Sequence, residues 1–434
     1  MRLSRLRRSA PRLLSALVAL AASACQSVVD PAVREGASAR PACDRGAVRL
    51  TQDFPGAPRS DCTRLGPARF ELRIEPEARP INPSPWYAFD LHRVSGAPQS
   101  EAEVILNYAA ARHRYAPRRR TAQGWALLGE AAVTLLDKDE RRASVSISLP
   151  DPGGDVRIAA QEVLPAAERR AWREAYAART DFELVEIGRS VQGRPIEALR
   201  RPAARPDAPV IIVLGGQHPP EVPGVLGHRA FLDQLDDADA RRPGALDAVH
   251  WLVIPALNPD GADAGHWRLN AGLVDLNRDW GPFTQPETRA AQAAIEAALD
   301  GAGPSLILLD FHATRRDVLY VPEGTGAAHT DPLVERLIDA LNAALPAGEN
   351  TFDVSPGYAP GRPTAKTWFY ETYGRPGVTV EFGDDTDRGR IERLAGALAS
   401  AVVGLAEATP RLCSGSARSA ATVGGGCPSS PQGG

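Results

Sequence analysis

The chain predicts an α/β fold class, with an α/β domain in its second half and a small antiparallel β-sandwich ahead of it. Two patterns and one quantity predict this. From residue 164 onward, short apolar runs alternate with amphipathic stretches of helical period, the pattern of an α/β domain. From 46 to 163, short runs of strand-like composition are separated by Pro, Gly, Asp and Arg at hairpin-like intervals. The length of 434 residues exceeds one ordinary compact domain, and a hydrophobic content of 43% is enough for a real core.

Residues 1–25 read as an export signal. Arg2, Arg5, Arg7 and Arg8 form a basic start, and Leu13 to Ala22 form an apolar core too short to span a bilayer comfortably. Ala22-Ser-Ala24 supplies small residues for cleavage, and Cys25 follows directly, as in bacterial lipoproteins whose first mature cysteine carries lipid. Alanine stands at 22 where leucine is usual, so plain secretion stays open beside a lipid anchor at Cys25. Residues 26–45 are rich in Ala, Ser and Arg and read as a tether. Apart from Cys25 there are four cysteines, and local pairings of Cys43 with Cys62 and of Cys413 with Cys427 suit an oxidising compartment.

The sandwich is expected over 46–163, with strands at Phe70–Ile74, Trp86–Leu91, Val104–Tyr108, Trp125–Leu128 and Ala143–Leu149. It carries no catalytic constellation and reads as a packing or substrate-shaping module. The basic cluster Arg112 to Arg120 within it has the charge to grip an anionic partner, but a solvated hairpin is the preferred account. The net charge of -3 favours neither nucleic acid nor a membrane surface.

Pro165 to Ala178 has the composition of a helix, with proline near its start. Phe182 to Ile196 reads as two strands about a turn at Gly193. The α/β domain, 164–409, then has strands at Val210–Leu214, Val249–Ile254, Ser305–Leu309 and Gly377–Val380. Helices are expected over 224–235, 286–299, 331–344 and 390–407. The tail, 410–434, is rich in Gly, Ser and Pro and reads as disordered.

Chemistry concentrates at strand ends. Val210 to Leu214 runs into Gly-Gly-Gln-His218-Pro-Pro-Glu221, and open α/β sheets place their ligands at the carboxyl ends of such strands. His218 and Glu221 offer a ring nitrogen and a carboxylate oxygen, and the two prolines between them stiffen the turn. Leu309-Asp-Phe-His312 repeats the arrangement. If the two strands are neighbours, His218, Glu221 and His312 make a three-ligand zinc site with a fourth position open for water. Asp310 is then placed to hold an imidazole in its tautomer. Further on, Arg268 and Asn277-Arg278 lie in a loop after a strand, where Arg and Asn suit carboxylate recognition. Glu287, in Thr284-Gln-Pro-Glu287, reads as part of a capping box with a structural role.

Over about 180–408 the chain resembles the zinc carboxypeptidases of the funnelin type. The resemblance rests on His218-Pro-Pro-Glu221, Asn258-Pro-Asp-Gly261, Arg268, Asp275-Leu-Asn-Arg278, Asp310-Phe-His312 and Thr379-Val-Glu381, in that order. Trp86-Tyr-Ala-Phe89 and Asn107-Tyr108 look like the sandwich that precedes the catalytic domain in the cytosolic-carboxypeptidase branch. The resemblance implies a mixed-sheet catalytic domain and a peptide substrate. It also implies one zinc ion on His218, Glu221 and His312. Glu381 would be the general base toward the attacking water, and Arg268 would stabilise the oxyanion. Asn277 and Arg278 would bind the terminal carboxylate, and Tyr358 would close over the substrate, with Tyr370 and Tyr373 as competitors for that role.

The resemblance also puts Lys366 at the floor of the pocket for the departing residue, two positions before Trp368. It is one of two lysines in a chain that otherwise uses arginine. At the pocket floor it would favour an acidic C-terminal residue. The competing account is a surface lysine paired with Asp384 or Asp385. Two other functions stay open: a zinc amidase acting on cell-wall peptides or N-acyl amino acids, and an envelope binding protein that has lost activity.

Overall fold

A computed structural model describes residues 43–322, 331–357 and 361–415, with side chains to 408. The export signal, Cys25, nearly all of the tether, Tyr358, the side chains of Cys413 and Cys427 and the tail beyond 415 lie outside the described residues. Everything below concerns the unit that runs from Pro41 onward.

Ten strands come first: β1 (Val48–Thr51), β2 (Asp61–Gly66), β3 (Arg69–Ile74), β4 (Ala88–Arg93), β5 (Glu101–Tyr108), β6 (Arg118–Thr121), β7 (Gly124–Leu127), β8 (Val133–Leu135), β9 (Arg142–Ser148) and β10 (Gly154–Ala159). They form two five-stranded sheets, ordered β1-β4-β10-β6-β7 and β2-β3-β5-β9-β8. Period-two burial explains why they face each other: in β3, Phe70, Leu72 and Ile74 are buried and Arg69 and Arg73 are exposed. Phe70, Leu72 and Val104 of one sheet share a core with Leu50, Phe89 and Leu91 of the other. This is the expected sandwich with one departure, since β3 pairs with β5 in parallel. Cys43 and Cys62 are disulfide-bonded, as their spacing suggested.

Helix α1 (Ala166–Arg179) leads into the hairpin β11 (Glu183–Arg189) and β12 (Pro195–Arg201), whose turn uses Gly193 at φ 79°. Then follow β13 (Val210–Gly215), α2 (Val222–Arg241), β14 (His250–Ile254), α3 (Pro259–Ala264), α4 (Pro286–Leu299), β15 (Ser305–Thr314), β16 (Val318–Val321), α5 (Pro332–Ala344), β17 (Asp353–Pro356), α6 (Ala365–Tyr373), β18 (Gly377–Gly383) and α7 (Arg388–Gly415). The backbone of α7 is helical to 415, so the helix passes the expected tail boundary at 409.

The eight strands β11–β18 make one mixed sheet, ordered β11-β12-β14-β13-β15-β18-β16-β17. The central strands β14, β13, β15 and β18 are parallel, and antiparallel pairings begin at β12 and β16. In β13, Ile211 and Val213 enter the core with Phe231 and Leu398, whereas Val210, Ile212 and Leu214 enter the core with Ala291 and Phe369. Burial on both faces is what a continuous apolar run requires. The central strands run past their sequence boundaries because the buried His312 and the half-buried Glu381 still pair with each other across β15 and β18.

Candidate active site

The histidine-bearing strand ends are neighbours. β13 and β15 run parallel with Leu214 beside Asp310, and β15 and β18 run parallel with His312 beside Glu381. Glu221 sits at the N-cap of α2. A Cβ on Gly224, in the first turn of α2, would come within 2.4 Å of the His312 carbonyl oxygen. Only glycine lets α2 approach β15 this closely, and that approach carries Glu221 to His312.

One ligand atom from each of His218, Glu221 and His312 lies within 4.8 Å of the others. The His218 Nδ1 is 2.8 Å from Glu221 Oε1, and the His312 Nδ1 is 2.7 Å from Glu221 Oε2. The far side of each ring faces another carboxylate: His218 Nε2 lies 2.9 Å from Asp275 and His312 Nε2 lies 2.9 Å from Asp310. Gln217 in turn donates to both oxygens of Asp310. Burial works against the charged form of Glu221, but the two imidazoles outweigh it and hold the carboxyl well below its usual range. Burial would also lower the His312 pKa; Asp310 and Glu221 outweigh it and favour the imidazolium. This donor set fits zinc. Two imidazole nitrogens and a carboxylate converge on one point, and an outer carboxylate fixes each ring.

Glu381 lines the same cavity. Its Oε2 is buried and has no hydrogen-bond partner among the described residues. Burial, with Glu221 and Asp310 nearby, pushes its carboxyl up to about 8. Asp275, beyond its contact with His218, accepts a hydrogen bond from Arg268 Nε at 2.5 Å. The Arg268 guanidinium thereby comes within 3.7 Å of Glu221. Asn277 is buried and accepts from the Ala365 N–H at 3.0 Å, which ties it to the start of α6. The guanidinium of Arg278 donates to the Asn277 carbonyl at 2.6 Å.

Lys366, on α6, is buried in the same cavity and donates to the Gly357 carbonyl. It pairs with neither Asp384 nor Asp385, so the surface-lysine account is corrected. Asp384 is taken by Arg114, at 2.8 and 3.2 Å. The cavity has a volume of about 630 Å³, and six cationic side chains line it against the carboxylates of Glu221 and Glu381.

The sandwich reaches into this site, which the sequence did not reveal. The Glu77 carboxylate accepts the backbone N–H groups of Trp267, Arg268 and Leu269 at 2.7, 2.9 and 2.6 Å. Asn82, Pro83, Ser84 and Arg114 line the cavity. The segment Arg112–Arg120 does enter a hairpin, β6–β7, with Arg112 and Arg120 exposed, but it is not solvated throughout: Arg114 grips Asp384, and Arg118 is buried, donating to Gln161 at 3.1 Å. No motif links these residues to the strand ends, because Glu77 is 191 positions from Arg268 and Arg114 is 270 from Asp384. Asp275, by contrast, stood within a quoted motif, and its place between His218 and Arg268 is what the structure adds.

Two local readings change. Asn258 opens the short helix α3 instead of a turn, accepting from Gly261, and its amide holds the carbonyls of Gln217 and Leu269 beside the site. Glu287 closes no capping box, since Gln285 is the N-cap of α4. It accepts from the Val191 N–H and the Asn270 amide, so its structural role stands in another form.

Residues 170–392, just over half of the chain, match the family described as Peptidase_M14, zinc carboxypeptidase. The chain belongs to the zinc carboxypeptidase family. Family membership implies zinc binding, and the His218, Glu221 and His312 cluster fits that metal. Among curated proteins, the chain is similar to cytosolic carboxypeptidase 6 of mouse, 26% identical over 137 residues, which are 30% of this chain and 25% of the mouse protein. The human cytosolic carboxypeptidase 6 is 29% identical over 142 residues, 30% of this chain and 27% of that protein. The matched stretch thus spans about a quarter of the length of these relatives. Among solved structures, a metallo-carboxypeptidase from Burkholderia cenocepacia superposes with a TM-score of 0.68 at 19% identity, covering 84% of this chain and 100% of its own. A metallo-carboxypeptidase from Pseudomonas aeruginosa, in complex with (2-guanidinoethylmercapto)succinic acid, gives 0.65 at 23% identity, covering 83% and 99%. At these identities the likeness is one of fold.

Proposed function

We propose that this zinc carboxypeptidase family member hydrolyses the C-terminal peptide bond of peptides ending in an acidic residue. The observation that carries the reading is Glu381, whose buried Oε2 lacks a hydrogen-bond partner among the described residues, in one cationic cavity with a three-donor cluster. His218, Glu221 and His312 would hold a single zinc ion, which would supply a Lewis acid and lower the pKa of the attacking water.

Every other step belongs to side chains of this chain. Glu381 takes the proton of the attacking water and passes it to the leaving amine. Arg268, aimed by Asp275, donates to the oxygen that becomes an oxyanion. Arg278 and Asn277 bind the terminal carboxylate, and this contact confines cleavage to the chain end. Lys366 sits beside Arg278 in the cavity and pairs with an acidic side chain of the departing residue. Tyr358 closing over the substrate, the sandwich of 46–163 as a substrate-shaping module and export with lipid attachment at Cys25 complete the proposal. Membrane fractionation of a Cys25→Ser variant tests the last of these: the variant should leave the membrane fraction, and an unchanged distribution would reject the anchor.

The decisive experiment combines metal analysis with a peptide panel. One zinc per chain and faster release of Glu or Asp than of Leu, Phe or Arg are expected. Metal-free protein, or hydrolysis of N-acyl amino acids in place of peptides, would overturn the reading.

A further inference from the structure

A second cavity, of about 520 Å³, opens beside the first. The two share Pro83, Arg114 and Arg315 in their walls, so they lie side by side on the same face. The sandwich supplies most of the second cavity, including Arg112 from the loop after β5 and Arg141 immediately before β9. Arg315, just past the end of β15, completes it. Arg114 is neutralised by Asp384, but Arg112, Arg141 and Arg315 are exposed and form no ion pair among the described residues. One acid, Asp139, stands among the wall residues. Three uncompensated guanidinium groups around one concave surface make a site for carboxylates, which guanidinium binds through paired hydrogen bonds.

The direction of the groove follows from β15. Lys366 lies at the level of Leu308, since its backbone packs against Gly377, which pairs with Leu308. His312 is next along the strand, and Arg315 comes three residues further. The departing residue and the rest of the peptide thus lie on opposite sides of His312. Strand β15 ends at Thr314 and the chain bends at Arg315, so at about 3.3–3.6 Å per extended residue Arg315 is at most on the order of 10 Å beyond His312, within about three peptide residues upstream of the scissile bond.

We propose that Arg112, Arg141 and Arg315 form an upstream subsite that binds acidic side chains of the peptide about two to four residues before the scissile bond. The inference rests on the carboxypeptidase reading and adds to it. The substrate is then an acidic stretch of peptide, recognised at both ends of the groove.

The test uses peptides with the same C-terminal residue and either Glu or Gln at the upstream positions. The wild-type protein should prefer the Glu series in kcat/KM by about tenfold, the scale of two or three partly exposed ion pairs, and the preference should shrink with added salt. An Arg112→Gln/Arg141→Gln variant should lose most of that ratio, while an Arg112→Lys/Arg141→Lys variant should keep part of it. Equal rates on the two series in the wild type, or a ratio unaltered in the Gln variant, would overturn the subsite. Binding of the same peptides to zinc-loaded Glu381→Gln protein, with and without the Arg112→Gln/Arg141→Gln pair, reads the subsite without turnover. A Glu preference there with no hydrolysis by the wild type would support the subsite and reject the peptidase reading. Thermal unfolding of each variant confirms that it is folded.

Discussion

The Glu77 carboxylate accepts the Arg268 backbone N–H at 2.9 Å, so a side chain of the sandwich anchors the proposed oxyanion residue. The same carboxylate holds the N–H groups on either side, and three donors fixed at one acceptor define the path of residues 267–269. Glu77→Gln keeps the shape but has only one acceptor oxygen. We expect kcat/KM to fall by about tenfold or more, mostly in kcat, with zinc content unchanged, as for a group that acts by positioning. A variant with wild-type kcat would show that the contact is merely structural.

Glu381→Gln should retain zinc and lose about 10²–10⁴-fold in kcat/KM, the range for a general acid–base group. Metal analysis and kinetics on the same sample separate this outcome from loss of the site. Turnover near the wild-type level would remove Glu381 from the mechanism.

Asp275→Asn and Asp310→Asn should each weaken zinc binding by about 10–100-fold, because each carboxylate orients a ligand ring. Competition with a chelator measures this directly. Asp275→Asn should also lower kcat at saturating zinc, since Asp275 aims Arg268, whereas Asp310→Asn should do so less.

Gly224→Ala places a methyl group against the His312 carbonyl, and the backbone must move to admit it. Overpacking of this kind costs about 1–3 kcal/mol. The displacement falls on Glu221, so zinc affinity should drop together with the unfolding midpoint. Wild-type stability and affinity would mean that α2 can shift freely.

Lys366 gives a pH dependence with a defined sign. Burial lowers its ammonium pKa to about 8; Asp310 and Glu381 oppose the shift, and Arg362 and Arg278 add to it. Below that pH the group is cationic and attracts an acidic side chain; above it the charge is lost. The ratio of kcat/KM for C-terminal Glu over C-terminal Gln should therefore fall as pH rises through about 8, and Lys366→Met should flatten the profile at a low ratio. A ratio independent of pH from 6 to 10 in the wild type would exclude Lys366 from recognition.

The strand ends carrying His218, Glu221 and His312 were legible because buried strands announce themselves by apolar runs, and polar residues directly after such runs have few other reasons to be there, whereas Glu381 was read only through the family resemblance. The alternation of strands and helices likewise defined the α/β class. What stayed hidden were contacts between residues far apart in the chain. Glu77 on Arg268, Arg114 on Asp384 and the parallel pairing of β3 with β5 leave no local pattern, since a salt bridge or a register constrains two positions without constraining what lies between them. Local chemistry and periodicity thus pointed to His218, Glu221 and His312 as the candidate metal-binding cluster. Only tertiary packing, through the close approach of α2 to β15 at Gly224, decided that they meet and that the sandwich forms one wall of the groove.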